Sequence, residues 1–469
     1  MRKRKEIIIF HPVSRGKGNL SSEANPYFLF PQIYNFRYNI FSSEWPVANR
    51  VIELYLQKKS ENGGWERQIN GISNNEKAVL LLEKRTFKEL LVDMELRNLQ
   101  NNIVGQEASR LFARAEINMG VEAFRDSLYS LLKRNTFLNI KFENMLDTLG
   151  EISRTDIRSL LGEWEKTTPL PFYSLGEPTL TKITNKGGEE FFVLKMLISN
   201  NSDYDGIIHM DIRKDGWWYQ PLEDPRAKTK IEMPAHTSKE FVSVWEDQIR
   251  NVEINTMVSG NLPNIISQDI NNVKQERNKI VKDSIYILPE SSFDLPGEII
   301  VDNEDSTLFI LSAPPIVGLL PKWLDEVEET PFKYSGISWW RPPLQWTATT
   351  NDRYYGKYIR SAFVIKSGDG SQTATWKVPV PEVGQYDLYY HVFKDDELRW
   401  NNNLQGEYHF KVKYGSEVED AYVNLRKANE GWEQLGSYYF DSDTVRVVLT
   451  DECKLRSVTA DAVKIVKRY

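Results

Sequence analysis

Hydrophobic and polar residues alternate along most of the C-terminal third of the chain. Seven short runs rich in β-branched and aromatic residues are separated by Gly, Pro, Asn and Asp, and they span 372–378, 385–393, 407–414, 420–425, 434–440, 444–449 and 459–466. In the third run the residues of one face are Tyr408, Phe410, Val412 and Tyr414, and the residues between them are charged or polar. A period of two predicts strands with one buried and one hydrated face. The pattern predicts a C-terminal antiparallel β-sandwich.

Between residues 46 and 168 the apolar spacing becomes that of helices. Residues 106–118 and 121–134 predict a helical hairpin that turns at Met119 and Gly120. Ser73 to Glu76 and Thr86 to Glu89 each have the sequence of a capping box, which marks the start of a helix. We therefore predict an irregular segment over 1–45 and a mainly α-helical segment over 46–168.

Strand-like runs return after residue 168. They span 179–186, 190–199, 207–214 and 239–244, and they predict a small Ig-like β-sandwich over 169–260. Residues 261–297 are polar and predict a linker with one short helix at 273–282. The C-terminal sandwich is predicted over 298–469, with an aromatic and proline-rich insertion at 313–356. The predicted fold class is a multidomain α and β chain, whose C-terminal sandwich is jelly-roll-like.

Three motifs in the C-terminal region occur together, ATWKVPVPEVGQYDLYYHV, NEGWEQLGSYYFD and TADAVKIV. With them, residues 298–469 resemble the C-terminal β-sandwich module of golvesin and of xanthan lyases, which is described as carbohydrate-binding-like. The resemblance implies a non-catalytic accessory domain of secreted or surface proteins. The chain departs from the family between Lys394 and Gln405, where DDELRWNNNL replaces a segment of small residues.

A second resemblance covers the helical segment. GQEASRLFARAEINMGVEAFRDSLYSLLKRNTF, LDTLGEIS and LLGEW, followed by a small sandwich, resemble the helical end of the catalytic domain of gluzincin zinc aminopeptidases. That family holds zinc with HExxH and a downstream Glu. The histidines of this chain do not form this motif; they are His11, His209, His236, His391 and His409. Cys453 is the single cysteine, so the chain has no cysteine pair that could bind zinc. We therefore predict that the chain is not an enzyme and holds no cofactor.

The amino-acid composition limits the classes of binding partner that the chain is expected to have. The 469 residues include 59 Lys and Arg against 66 Asp and Glu, a net charge of −7, which favours neither nucleic acid nor an anionic membrane. The apolar run after MRKRK is shorter than a signal peptide requires, and no stretch is long enough to span a membrane. The C-terminal resemblance implies an extracytoplasmic location, in the periplasm or at the cell surface. No export signal accompanies this implied location, and one explanation is that the chain is a segment of a longer protein.

The segment that departs from the family also carries candidate ligand contacts. Arg399, Trp400, Asn401 and Asn402 combine an aromatic ring with hydrogen-bonding groups, which is the chemistry of sugar binding. The structural alternative, which the sequence favours, is a Trp that covers the edge of the sandwich while the asparagines make the turn. Trp376 and Trp432 belong to the family motifs and are predicted to be core residues. Asp461 shares a face with Val463 and Ile465, which predicts a buried carboxylate that ties down a neighbouring loop.

Three functions follow from these observations. The first is a non-catalytic accessory protein that binds a polysaccharide or a cell-surface glycan. The second is the C-terminal half of a zinc aminopeptidase-like enzyme, associated with an upstream peptidase part that carries HExxH. The third is a structural scaffold. The sequence favours the first.

Overall fold

The computed structural model describes residues 39–57, 64–184, 187–214, 220–222, 224–270, 272–277, 281–289, 293, 297–312, 332–338, 341–394 and 406–468. The chain forms two compact units. The first comprises the described residues of Met1–Asn62, Asn74–Gly260 and Asn264–Ser291, and the second those of Gly63–Ser73, Asn261–Pro263 and Ser292–Tyr469. Helices and strands are both present, and strands predominate in both sandwiches. This confirms the predicted fold class.

The first unit begins with the helical segment. Its elements are β1 (Asn39–Phe41), α1 (Ala48–Leu56), α3 (Asn74–Lys84), α4 (Phe87–Leu91), α5 (Gln100–Met119), α6 (Val121–Arg134), β2 (Asn139–Lys141), α7 (Phe142–Ser153) and a 3₁₀ helix (Arg158–Glu165), whereas α2 (Gly64–Asn70) belongs to the second unit. The capping box of α4 is confirmed, because the Thr86 side chain accepts from the Glu89 N–H at 3.2 Å and Glu89 accepts from the Thr86 N–H at 2.9 Å. Gly120, at φ 87°, makes the predicted turn between α5 and α6. No helix in the described ranges is both long and apolar enough to cross a membrane.

The segment predicted to be irregular contains one strand. β1 pairs in parallel with β2, so that Ile40 lies opposite Ile140. Residues 1–38 of the same prediction lie outside the described residues. The strand was missed because a three-residue run is too short to show a period.

A sandwich of two sheets completes the first unit. Its strands are β3 (Tyr173–Leu175), β4 (Thr179–Thr184), β5 (Glu190–Asn200), β6 (Gly206–Lys214), β7 (Gln220–Pro221), β8 (Lys228–Met233), β9 (Thr237–Trp245), β10 (Ile249–Asn255), β11 (Ile265–Asp269), β12 (Val273–Arg277) and β13 (Ser284–Pro289). One sheet has the order β11-β10-β6-β7, with β8 also paired to β6, and the other has the order β12-β4-β5-β9-β13, with β3 paired to β5. Ile198, Ile208, Ile212 and Val252 are among the buried residues between them.

The predicted linker at 261–297 is wrong. Three strands, β11, β12 and β13, come from this segment, and β12 replaces the predicted short helix. β12 and β13 lie at the two ends of one sheet, where β12 pairs in parallel with β4 and β13 pairs antiparallel with β9. Edge strands carry charged side chains, and the exposed Lys274, Gln275 and Glu276 of β12 gave the segment the composition of a linker.

The second unit is built around the C-terminal sandwich. Its strands are β14 (Glu298–Val301), β15 (Phe309–Ser312), β16 (Thr347–Thr350), β17 (Ser361–Lys366), β18 (Thr373–Pro379), β19 (Gly384–Val392), β20 (Glu407–Tyr414), β21 (Glu417–Asn424), β22 (Gly431–Phe440), β23 (Thr444–Thr450), β24 (Ser457–Ala460) and β25 (Val463–Lys467). One sheet has the order β14-β25-β19-β22, a second the order β15-β18-β23-β20-β21, and a third the order β16-β17-β24. Of the predicted insertion at 313–356, residues 313–331 and 339–340 lie outside the described residues.

The alternation seen in the sequence sets the core of this sandwich. Tyr408, Phe410, Val412 and Tyr414 of β20 are all buried, as predicted. Trp376 of β18 is 0% exposed, which confirms its assignment to the core. The last predicted strand is instead two strands, β24 and β25, which belong to different sheets and are separated by Asp461 and Ala462.

Candidate functional site

The outer face of the sheet β14-β25-β19-β22 carries a group of aromatic rings. Along β19 the side chains of Tyr386, Leu388, Tyr390 and Val392 are buried, and the side chains between them face outward. Five half-buried residues on this side form what we call the ring face, and they are Tyr355, Tyr389, His391, Trp432 and Lys464. Four of them come from the sheet, and Tyr355 comes from the loop between β16 and β17.

Strand register brings the ring face together. His391 of β19 lies opposite Trp432 of β22, and Tyr389 lies opposite Lys464 of β25. The ring centroids of His391 and Trp432 are 5.2 Å apart, and those of Tyr355 and Trp432 are 5.0 Å apart. Lys464 Nζ lies 4.9 Å from the centroid of Trp432 and 5.4 Å from that of Tyr389, within the range of a cation–π interaction.

Trp432 is therefore not the core residue that the sequence predicted. Strict alternation back from the buried Phe440 and Tyr438 would put Trp432 on the inner face. The pairing of β22 with β19 shifts between Leu388 and Tyr389, where Leu435 has no partner in the register. A shift of one residue moves every following side chain to the other face, so Trp432 faces outward and is half-buried.

Asp461 fixes the orientation of two members of the ring face from beneath. Its side chain is fully buried at the break between β24 and β25. Asp461 Oδ2 lies 2.8 Å from His391 Nδ1, and both carboxylate oxygens accept from the Tyr355 N–H, at 3.2 and 3.1 Å. The prediction of a structural carboxylate that ties down a loop is confirmed. Since Nδ1 faces a carboxylate, it carries the hydrogen, and Nε2 has no partner among the described residues.

Charged side chains on and around the ring face form ion pairs. Lys464 Nζ lies 2.9 Å from Glu298 Oε1, Arg468 Nε lies 2.8 Å from Asp387 Oδ2, and Arg353 pairs with Glu430. Burial raises the pKa of Asp461, and the charge of His391 and its hydrogen bond oppose that shift. Burial also raises the pKa of Asp302 to about 8, with the charge of Asp461 adding to the effect.

The predicted contact residues Arg399, Trp400, Asn401 and Asn402 lie outside the described residues, as do the neighbouring acidic residues at 395–397. They follow β19 in the sequence, and their role as ligand contacts stays a prediction. Sequence reasoning did not identify the ring face. The available signal was the outward position of His391 in the motif QYDLYYHV, because its neighbours Tyr390 and Val392 belong to the apolar face of that strand.

The other reactive side chains are dispersed. His209 lies in the first unit, where burial, together with the charge of Lys230, lowers its pKa to about 4. His236 pairs with Asp203, and His409 contacts both Asp420 and Glu452. No group of three or more His, Cys, Asp and Glu side chains within the described ranges could hold a metal ion. Burial raises the pKa of the Cys453 thiol, which disfavours its thiolate form.

The second unit is thus an antiparallel β-sandwich module with half-buried aromatic side chains on the outer face of one sheet. Residues 342–467 match the family model of the golvesin C-terminal domain. That range includes every member of the ring face. No curated protein sequence matches the chain significantly.

Two solved structures are among those that the chain matches. A Paenibacillus xanthan lyase is 16% identical, with a TM-score of 0.26, over 64% of this chain and 27% of that chain. A Bacteroides uniformis beta-glucuronidase is 12% identical, with a TM-score of 0.18, over 65% of this chain and 31% of that chain. The chain therefore spans less than a third of either structure, and TM-scores this low do not establish a shared overall fold.

Proposed function

We propose that the C-terminal sandwich is a non-catalytic, glycan-binding accessory module and that the ring face contacts the sugar. The observation that carries the proposal is the outward position of Trp432. A half-buried Trp outside the core leaves part of its apolar surface exposed to water, so a contact at that surface gives the exposed part a role. The golvesin C-terminal family match supports the same function.

The ring face offers both kinds of contact that sugars use. The apolar C–H side of a pyranose ring packs against aromatic rings, and Trp432, Tyr355 and Tyr389 supply such rings. Hydroxyl groups need directed hydrogen bonds, and His391 Nε2 and the Oε1 atom of the exposed Gln434, whose Nε2 donates to Asp387 and Ser437, can provide them. A few polar groups placed among aromatic side chains are typical of ligand sites.

The module is proposed to be non-catalytic because its buried carboxylate already has partners. Asp461 accepts from Tyr355 and contacts His391, so both of its oxygens serve the architecture of the face. The proposed role of the first unit is to carry this module, and its association with a peptidase part stays a prediction from sequence.

The proposal is tested with Trp432→Ala in the full chain against a panel of immobilised polysaccharides. We expect wild-type protein to be retained by at least one polysaccharide and the variant to bind it at least about tenfold more weakly, which corresponds to about 1.4 kcal/mol. Tyr439→Ala is the matched control, because Tyr439 is an exposed aromatic on the same strand but is not part of the ring face.

A urea melt of each variant separates lost contact from lost folding. A Trp432→Ala variant that binds the polysaccharide as strongly as wild type would show that the ring face is not the contact surface. Wild-type protein that no polysaccharide retains would overturn the glycan-binding function and leave the scaffold.

A further inference from the structure

We infer that the ring face selects sugars without a carboxylate, sulfate or phosphate group, so that its ligand is a neutral glycan. This inference rests on the proposed function and deepens it. The observation behind it is that each cation placed at the ring face already has its own carboxylate within the protein.

Lys464 is the cation at the centre of the face. Its ammonium group lies over the Trp432 and Tyr389 rings, and its side chain is 12% exposed. Its partner Glu298, from β14, is 19% exposed and lies 2.9 Å away. A ligand carboxylate that took Lys464 would leave Glu298 in a partly buried site without its counter-ion. Removing one partner of such a pair is costly, so Lys464 is not available to an anionic sugar.

The flanking cations are engaged in the same way. Arg468 pairs with Asp387, which neighbours Leu388 and Tyr389 on β19, and Arg353 pairs with Glu430 just before β22. Arg353 also lies over the Phe393 ring, with its guanidinium carbon 4.6 Å from the ring centroid. Both arginines are therefore held in place by groups of the protein.

A further positive group of the region is conditional. His391 is charged only when protonated, and the buried Asp461 lies 2.8 Å from it. Besides Arg353, Lys464 and Arg468, the region holds Arg360, whose positive charge opposes the rise in the pKa of Asp461. When His391 is neutral, these four cations are matched by the carboxylates of Glu298, Asp387, Glu430 and Asp461, so an anionic sugar gains no net attraction from them. A neutral sugar needs only ring faces and hydroxyl partners, and the ring face supplies both.

The test compares glycans that share a backbone and differ in charge. Hydroxyethyl cellulose and carboxymethyl cellulose form one pair, and galactomannan and alginate extend the neutral and the acidic sets. Affinity electrophoresis of the full chain in gels containing each polymer measures retention at low and at high salt. We expect retention by at least one neutral polymer and at least tenfold weaker retention by acidic polymers at low salt.

A variant that frees Lys464 makes the inference sharper. Glu298→Gln removes the counter-ion of Lys464, and we expect it to gain salt-sensitive retention by carboxymethyl cellulose or alginate. The matched control is Glu382→Gln, which removes the same charge from the pair with Lys467 on the same sheet but leaves the ring face intact. A gain that appears in both variants, or in neither, contradicts the role assigned to Lys464.

The outcomes separate the two proposals. Wild-type protein that prefers acidic polymers, or that binds acidic and neutral polymers equally, overturns the neutral class and leaves glycan binding standing. Wild-type protein that binds none of the polymers overturns the glycan-binding function itself.

Discussion

Asp461 lies beneath His391, with its Oδ2 atom 2.8 Å from the imidazole Nδ1, and the same carboxylate accepts the N–H of Tyr355. One buried side chain thus holds two members of the ring face that come from different parts of the chain. His391 belongs to a strand and Tyr355 to a loop, so their relative position depends on Asp461. The geometry of the face is set from the core side.

Replacing Asp461 should therefore weaken the fold as well as the ring face. We expect Asp461→Ala to lower the free energy of unfolding by about 1–3 kcal/mol, because the Tyr355 N–H and His391 Nδ1 lose a buried acceptor. Urea melts of the full chain measure the change. Asp441→Ala is the control, since Asp441 is exposed and such substitutions change stability by about 0.5 kcal/mol or less. Equal melts for the two variants would contradict the structural role of Asp461.

The raised pKa of Asp302 predicts a specific dependence of stability on pH. In the folded chain the carboxyl keeps its proton up to pH about 8, whereas in the unfolded chain it loses that proton near pH 4. Between these values the folded state binds more protons than the unfolded state, so this group's contribution to stability falls as pH rises. Because Asn does not ionise in this range, we expect the Asp302→Asn variant to lack this dependence of stability on pH.

Chemical denaturation of wild type and Asp302→Asn at pH 5, 6, 7 and 8 checks this expectation. The stability of wild type relative to the variant should decrease steadily across the series. Asp441→Asn, which changes an exposed carboxyl, should follow wild type. A constant difference between wild type and Asp302→Asn would mean that Asp302 is ionised throughout.

How much the sequence could predict depended on whether local pattern decided the structure. The alternation at Tyr408 and Phe410 and the capping box at Thr86 are local, and both were confirmed. The structural role of Asp461 could also be predicted from the sequence, because a carboxylate in an apolar row needs hydrogen-bond partners wherever it lies. The boundary between β24 and β25 could not be predicted, because Thr459 and Val463 are both typical strand residues although their strands join different sheets.

The errors came from features that only pairing defines. Trp432 faces outward because of a register shift against β19. Gly436, next to the unpaired Leu435, is a residue type that often marks a bulge within a strand, but it does not by itself fix which side chains turn outward. β12 is a strand because β4 offers it an edge, although its own residues are those of a linker. The ring face combines both effects, since Tyr355, His391 and Trp432 are brought together by register and by Asp461.

A second buried charge lies in the first unit and allows a test of its energetics. Glu116 of α5 is 1% exposed, pairs with Lys230 of β8 and accepts from the Tyr55 hydroxyl at 2.7 Å. We expect Glu116→Ala to lower the free energy of unfolding by about 3–5 kcal/mol, because Lys230 is left as an unpaired buried charge. The neighbouring exposed pair of Arg114 and Glu232 is the control, and Arg114→Ala should cost about 1 kcal/mol or less. Similar losses of unfolding free energy for Glu116→Ala and Arg114→Ala would contradict the expectation that the buried pair matters more than the exposed one.

The alternative that the chain is a zinc peptidase predicts a measurable zinc content. If the chain alone were a zinc peptidase, the purified protein would hold about one zinc per chain. We expect elemental analysis after dialysis to find no stoichiometric zinc and expect no cleavage of aminoacyl-anilides, because the sequence has no HExxH. Tightly held zinc at about one ion per chain would reverse this expectation.

The contact role predicted for Trp400 is decided by comparing binding with stability. As a stacking platform Trp400 is exposed, so Trp400→Ala should reduce retention on the polysaccharide that wild type binds while changing the free energy of unfolding by about 0.5 kcal/mol or less. As a core residue it would cost about 3–5 kcal/mol on truncation through lost burial and a cavity. Trp376→Ala is the control for the second case, because Trp376 is fully buried. Urea melts of the full chain and the polysaccharide panel are measured on the same preparations. A Trp400→Ala variant destabilised as strongly as Trp376→Ala would remove Trp400 from the binding surface and leave Trp432 as the aromatic residue to test.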